Sequence, residues 1–210
     1  RERVFERIWI QTAAGDAGGA VGAALGAFHI MLNQPRKVTE GIDAMKGSYL
    51  GPEYTHIDVT ERLTRRGAVF TTHTDEDIVE HTAQALADGK AVGWMNGRME
   101  FGPRALGGRS IIADPRSPTM QKLLNLKVKY RESFRPFAPS VLCDDVSDWF
   151  EMSTDSPYML LVADVVKDKR RQMTAEEETF FGIDKLNVPR SVIPAVTHVD
   201  YSARVQTVHN

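Results

Sequence analysis

Residues 91–114 read AVGWMNGRMEFGPRALGGRSIIAD. Two short apolar runs, AVGWM at 91–95 and SIIAD at 110–114, carry the β-branched and aromatic residues that suit strands. The loop between them is punctuated by glycine and arginine and continues neither run. Working outward, residues 75–88 form a helix pattern: Thr74 as N-cap, acids in the first turn, and Gly89 as the stop. Its buried stripe is Ile78, Val79, Ala83, Leu86 and Ala87. Downstream, a helix is expected at 117–129, opened by Ser117-Pro118, then a strand at 137–142 and a short helix at 144–151. A strand at 158–166 and a helix at 174–181 follow, the latter with Thr174 as N-cap and Glu177 at the capping-box position. SVIPAVTHV (191–199) and ARVQTV (203–208) read as closing strands. This alternation predicts an α/β or α+β sheet domain over about 73–210. Before it, IWIQTA (8–13) reads as a short strand, and AAGDAGG opens an apolar helix running to about residue 32. Gly18, Gly22 and Gly26 leave one face of that helix bare. Residues 33–72 are polar and turn-rich, as in a connector.

The charge is unevenly placed. From Arg98 to Arg135 there are nine Lys or Arg against three acids (Glu100, Asp114, Glu132), a net +6 in a chain of net −2. The remainder therefore carries −8, and cations gathered in an otherwise acidic protein point to an anionic ligand. A single cysteine, Cys143, excludes an intrachain disulfide framework and fits a reducing, cytoplasmic compartment. In VLCDD it reads as an unreactive thiol at a strand end. The longest apolar run, residues 18–32, is too short and glycine-rich to span a membrane, and no signal-peptide pattern opens the chain. The first residue is not Met, as expected of an excised piece.

Three stretches could carry chemistry. In GPRALGGR, Gly102, Gly107 and Gly108 permit tight turns, so that Arg104 and Arg109 can converge on phosphate together with bare backbone amides. The alternative is a loop whose arginines are solvated or paired with Glu100 and Asp114. It is not a Walker P-loop, which needs GxxxxGK followed by Ser or Thr. In KVKYRESFRPF, Lys129, Arg131 and Arg135 gather at a helix C-terminus, where cations are favoured with or without a ligand. In AAGDAGGA, Asp16 is either an N-cap or a ligand to a metal or phosphate. The six histidines contain no HxxxH or HExxH pair, so spacing alone encodes no metal cage. His198, near Asp200 and Arg204, is the histidine best placed to line a cleft.

The strings GRMEFGPRALGGRSIIADPR, VKYRESFRPFAPSVL, PAVTHVD and ARVQTV, with QTAAGDAGGAVGAALGA upstream, resemble the O-carbamoyltransferases of antibiotic and Nod-factor biosynthesis. The resemblance covers essentially the whole chain. It implies a YrdC-like twisted mixed sheet with flanking helices over 73–210 and a linker at 36–72. Residues 1–35 would be a helical remnant of a Kae1-like domain of the actin/hexokinase ATPase type. The implied reaction joins carbamoyl phosphate and ATP into a carbamoyl-adenylate, then passes the carbamoyl group to a hydroxyl of a small-molecule acceptor. By motif, Arg104, Lys129, Arg135 and Arg204 would bind phosphates or the carbamoyl group, with Arg98, Arg109 and Arg131 as neighbours. His198 is added to that binding set, and Asp16 would help hold a divalent metal, Fe(II) or Mg, whose other ligands are expected upstream. An NTSFN-type segment is expected beyond residue 210, so the chain by itself is not expected to complete carbamoyl transfer. The shared fold leaves a threonylcarbamoyl-adenylate synthase for tRNA modification as a rival. A non-catalytic RNA- or polyanion-binding module is another, disfavoured by the few aromatics interleaved with the arginines. Small-molecule substrates, no membrane and no nucleic acid are the expected partners; a homodimer stays open.

Overall fold

A computed structural model describes residues 4–5, 9–38 and 43–209. Its centre is a three-stranded mixed sheet ordered β3 (Ser140–Leu142), β5 (Ser202–Val208), β4 (Leu161–Asp164). β5 runs parallel to β3 and antiparallel to β4. Ala203 and Val205 of β5, with Ala163, Val165 and Phe150, pack against Ile193 and Val196 in the main core. That core is one face of β5. Because strand side chains alternate, Ser202, Arg204 and Gln206 belong to its other face. A separate antiparallel hairpin pairs β1 (Val92–Met95) with β2 (Arg109–Ile112), and its connection is the glycine–arginine loop.

The helices are α1 (Asp16–Gly26), α2 (His56–Arg65), α3 (Asp75–Ala87), α4 (Met120–Leu124), α5 (Val146–Trp149), α6 (Ala175–Glu178) and α7 (Gly182–Leu186). α3 has the expected Thr74 cap but not the expected buried stripe, since Ile78, Val79, Ala83 and Ala87 are exposed and Leu86 is half-buried. α6 has the expected capping box between Thr174 and Glu177. α4 starts at Met120, not at Ser117, and continues as a π turn over Asn125–Lys129. Met120 and Leu124 join Ala195 in a second small core.

The α+β class is as expected, with small sheets. Several local expectations are corrected. Residues 9–13 form no strand; Ile8 lies outside the described residues. Thr12 instead turns inward, where its hydroxyl meets that of the fully buried Ser48 at 3.2 Å. The polar stretch read as a connector contains α2, whose capping box joins Thr55 and Asp58. Residues 48–52 are sutured to the loop by Phe101 N–H to Ser48 O, 2.6 Å, and Gly51 N–H to Met99 O, 2.9 Å. The expected strand at 191–199 is a 3-10 turn, Pro194–Val196. Pro194 has no N–H to give a ladder, and the Ser191 and Thr197 hydroxyls bond the Ile193 amide and carbonyl. At the amino-terminal side α1 is the regular element among the described residues, and no helix there is long and apolar enough to cross a membrane.

Candidate functional site

The glycine–arginine loop is organised around an anion of its own. Glu100 is sealed from solvent, and its Oε1 accepts the N–H groups of Leu106 (2.6 Å), Gly108 (2.8 Å) and Arg109 (3.2 Å). Burial disfavours its charge, but the hydrogen bonds from these amides outweigh that and hold the carboxyl below the usual glutamate range. Arg109 closes the shell, with Nε on Glu100 Oε2 at 3.1 Å and a terminal nitrogen on Gly102 O at 2.7 Å. The amides that the sequence offered to phosphate are therefore taken by Glu100. Gly102 sits at φ +101°, and a Cβ there would lie 2.6 Å from the Ala13 side chain, so the loop packs directly on the turn before α1.

Arg98 is likewise occupied, donating to Gly51 O and Glu53 Oε2, both at 2.8 Å. Arg116 is paired with Asp114 at 2.8 Å. Thus two arginines of the stretch, Arg109 and Arg116, follow the pairing alternative, while Arg104 does not. It is half-buried, and among the described residues it has no hydrogen-bonding or acidic partner. It lines a 230 Å³ cavity with Thr12–Gly15, Ser48, Phe101 and Tyr158.

β5 brings a second arginine to the same place. Gln206 donates to Leu106 O at 2.8 Å, and Tyr49 Oη donates to the same carbonyl at 2.7 Å. Leu106 is two residues from Arg104, and Gln206 is two residues from Arg204 on the same strand face. The grip on Leu106 therefore brings the two arginines within electrostatic reach of each other. The effect registers at Arg204. Arg204 is exposed as a residue, but partial desolvation, then the positive charges of Arg104 and Arg131, lower its pKa. Arg204, too, has no acidic partner among the described residues.

Arg131 arrives by a third route. Asn125, fully buried in the π turn, donates to Ser133 O (3.0 Å) and Arg135 O (2.8 Å) and accepts from Arg131 Nε at 2.6 Å. Tyr130 reverses the chain in a left-handed conformation, φ +49°. The Arg131 guanidinium then lies over the Phe137 ring, 5.0 Å from its centroid. Three arginines from three separate elements thus share one electrostatic neighbourhood, and the acid recorded beside them is the exposed Glu132, which feels Arg131 but is salt-bridged to Arg135.

The other expected site residues lie apart from this trio in their bonding. Arg135 is exposed and paired with Glu132 at 2.8 Å. Lys129 is exposed at the end of the π turn. His198 contacts Asp200 at 3.0 Å in the turn before β5, and Asp200, bonded first by the Ser202 hydroxyl, is held well below the usual carboxylate range. Asp16 is not an N-cap: Gly15 holds that position, and Asp16 stands exposed in the first turn. Asp16 belongs to no cluster of three or more His, Cys, Asp or Glu among the described residues, and a divalent ion needs several donors. Sequence reasoning named Glu100 as a partner for arginine, which Arg109 bears out, but missed the amide shell around it, and it missed Asn125 and Gln206. A buried acid six to nine residues from the amides it binds has no sequence signature; the capping box at Thr55 did.

Comparison with known proteins bears on what this site serves. The family model described as Carbamoyltransferase C-terminus matches residues 83–210. The chain belongs to that family. An uncharacterized protein of Synechocystis sp. is 59% identical over 211 residues, covering 100% of this chain and 34% of its own length. Nodulation protein NolNO of Sinorhizobium fredii is 37% identical over 212 residues, with 99% and 28% covered, and nodulation protein U of Rhizobium fredii is 34% identical over 206, with 98% and 29%. The chain thus spans about a third of the length of the curated relatives it matches. Arg104, Arg131 and Arg204 all fall within the matched carbamoyltransferase segment.

Proposed function

We propose that this carbamoyltransferase segment binds carbamoyl phosphate and ATP and takes part in forming a carbamoyl-adenylate for transfer to a hydroxyl of a small-molecule acceptor. The observation that carries the reading is the meeting of Arg104, Arg131 and Arg204, none of which is in a salt bridge among the described residues. Like charges are brought together at a cost, and an anion of charge −2 removes it. Guanidinium forks suit phosphate oxygens in two-point contacts, and Arg131, fixed by Asn125 and Phe137, is oriented before ligand arrives. A larger cavity of 1310 Å³ shares Thr12, Tyr158 and Leu160 with the one that Arg104 lines, leaving room for a nucleotide beside a small phosphate.

In the proposed sequence, water splits carbamoyl phosphate into carbamate and inorganic phosphate. A carbamate oxygen then attacks the α-phosphorus of ATP, the bond to pyrophosphate breaks, and carbamoyl-adenylate forms. Attack of the acceptor hydroxyl on the carbamoyl carbon releases AMP. The arginines lower the repulsion between the two anionic substrates and stabilise charge on the phosphoryl group in transit. Lys129 and Arg135 would supply further cations on ligand binding, Arg135 by leaving the exposed Glu132. A divalent ion would add Lewis-acid charge to the carbamoyl transfer, and Asp16 is the residue here that would contribute to holding it.

Calorimetric titration of the chain with carbamoyl phosphate, ATP and a short RNA tests the reading. It expects saturable binding of carbamoyl phosphate and no steep salt dependence on RNA. Tight, strongly salt-dependent RNA binding without carbamoyl phosphate binding would instead favour a polyanion-binding module.

A further inference from the structure

A second cluster stands outside the arginine site, at one end of the central sheet. β3 and β5 run in parallel with Leu142 opposite Val208. One residue further along each strand, Cys143 and His209 emerge side by side at the carboxyl ends. Asp155, from the loop before β4, completes the group. Cys143 Sγ–H donates to Asp155 Oδ1 at 2.6 Å, and His209 Nε2 lies 3.5 Å from Asp155 Oδ2. One ligand atom from each residue can be chosen so that all three lie within 4.8 Å of one another.

The loop that presents Asp155 is fixed. The next residue, Ser156, is buried: its N–H donates to Thr207 Oγ1 (2.7 Å), its hydroxyl to Val205 O (2.8 Å), and its carbonyl accepts the Thr207 N–H (3.1 Å). Asp155 is therefore tied to the same strand that carries His209, and Cys143 is tied to that strand by the parallel ladder. Three positions far apart in sequence are held together by one sheet, before any ion is present.

We propose that Cys143, Asp155 and His209 form a three-ligand site for a borderline-soft divalent ion of the Zn(II) type. A thiolate sulfur, an imidazole nitrogen and a carboxylate oxygen are the donor types that such an ion takes, and the thiolate selects against Mg(II) and Ca(II). With metal–ligand bonds of about 2.0–2.3 Å, the donors need to close by roughly 1 Å, which the exposed His209 side chain can supply. On binding, the Cys143 S–H bond breaks, its proton goes to solvent, the sulfur–metal bond forms, and Asp155 Oδ1 is freed from the thiol to coordinate. The fourth position is left for water or an anion, and Asp155 also lines the 1310 Å³ cavity. The Asp155 hydrogen bond foremost, then burial and the charges of Asp155 and Asp144, push the Cys143 thiol up. The ion must therefore displace a proton, and the thiol without it is not a reactive nucleophile.

Cobalt(II) titration of the untagged chain, kept reduced with a phosphine, tests this site. The expected result is a thiolate-to-cobalt charge-transfer band saturating at one ion per chain, displaced by Zn(II), with one proton released per ion. C143S loses the band. H209Q, altered at an exposed position that the fold does not need, keeps the band at saturation but binds about tenfold or more weakly. Absence of the band in excess cobalt, its survival in C143S, or wild-type affinity in H209Q would each overturn the proposal.

Discussion

Glu100 decides what the arginines near it do. A buried carboxylate bonded by three amides and a guanidinium is costly to disturb. Glu100→Gln is expected to lower stability by about 3 kcal/mol, because Arg109 and the amides lose their counter-charge in a dry site. Denaturant unfolding measures this. The pH dependence has a fixed sign. The native carboxyl titrates below its ordinary range, so its contribution is present in full above that range and is lost as pH falls through the native value. The Gln variant should lack that acid-limb loss. Gly102→Ala is expected to cost about 2 kcal/mol or more, since φ +101° disfavours a side chain and the new methyl meets Ala13. At this scale the sequence showed arginine and glycine in quantity. It could not show that an acid within the same loop uses up the amides and Arg109, leaving Arg104 without a hydrogen-bonding or acidic partner among the described residues.

Among the elements, those with a strong local signal were legible. α3 and α6 follow from Thr caps and acids in the first turn; β1, β2 and β5 follow from apolar runs between breakers. Residues 191–199 were misread because five apolar residues (Val192, Ile193, Ala195, Val196, Val199) outweighed Pro194 and the hydroxyls that bond the turn internally. α2 was missed in a stretch whose polarity masked the Thr55–Asp58 box. The π turn after α4 has its own test. Asn125→Ala removes three part-buried hydrogen bonds and leaves the Ser133 and Arg135 carbonyls without them. A loss of about 2–3 kcal/mol is expected by denaturant unfolding. Carbamoyl phosphate affinity should also fall in the folded variant, because Arg131 loses its anchor. Unchanged affinity would show that Asn125 serves the turn alone.

For the molecule as a whole, β5 is the hub. One face of it fills the main core, and the other grips the Leu106 carbonyl and presents Arg204, so that a loop one hundred residues away in sequence lands beside it. A single sequence does not encode which loop a strand will face, and this is why the arginine trio was legible as residue types but not as a constellation. On the proposed function, position rather than the net +6 of the stretch makes the anion site. Carbamoyl phosphate titrated calorimetrically into Arg104→Ala, Arg204→Ala and Arg116→Ala measures it most directly. The first two should bind about ten- to a hundredfold more weakly, from losing a charge-assisted contact of about 1.5–3 kcal/mol. Arg116→Ala removes the same charge from the same stretch at a residue already paired with Asp114, and should bind within about twofold of wild type. Equal losses in all three, or full affinity in Arg204→Ala, would contradict the account.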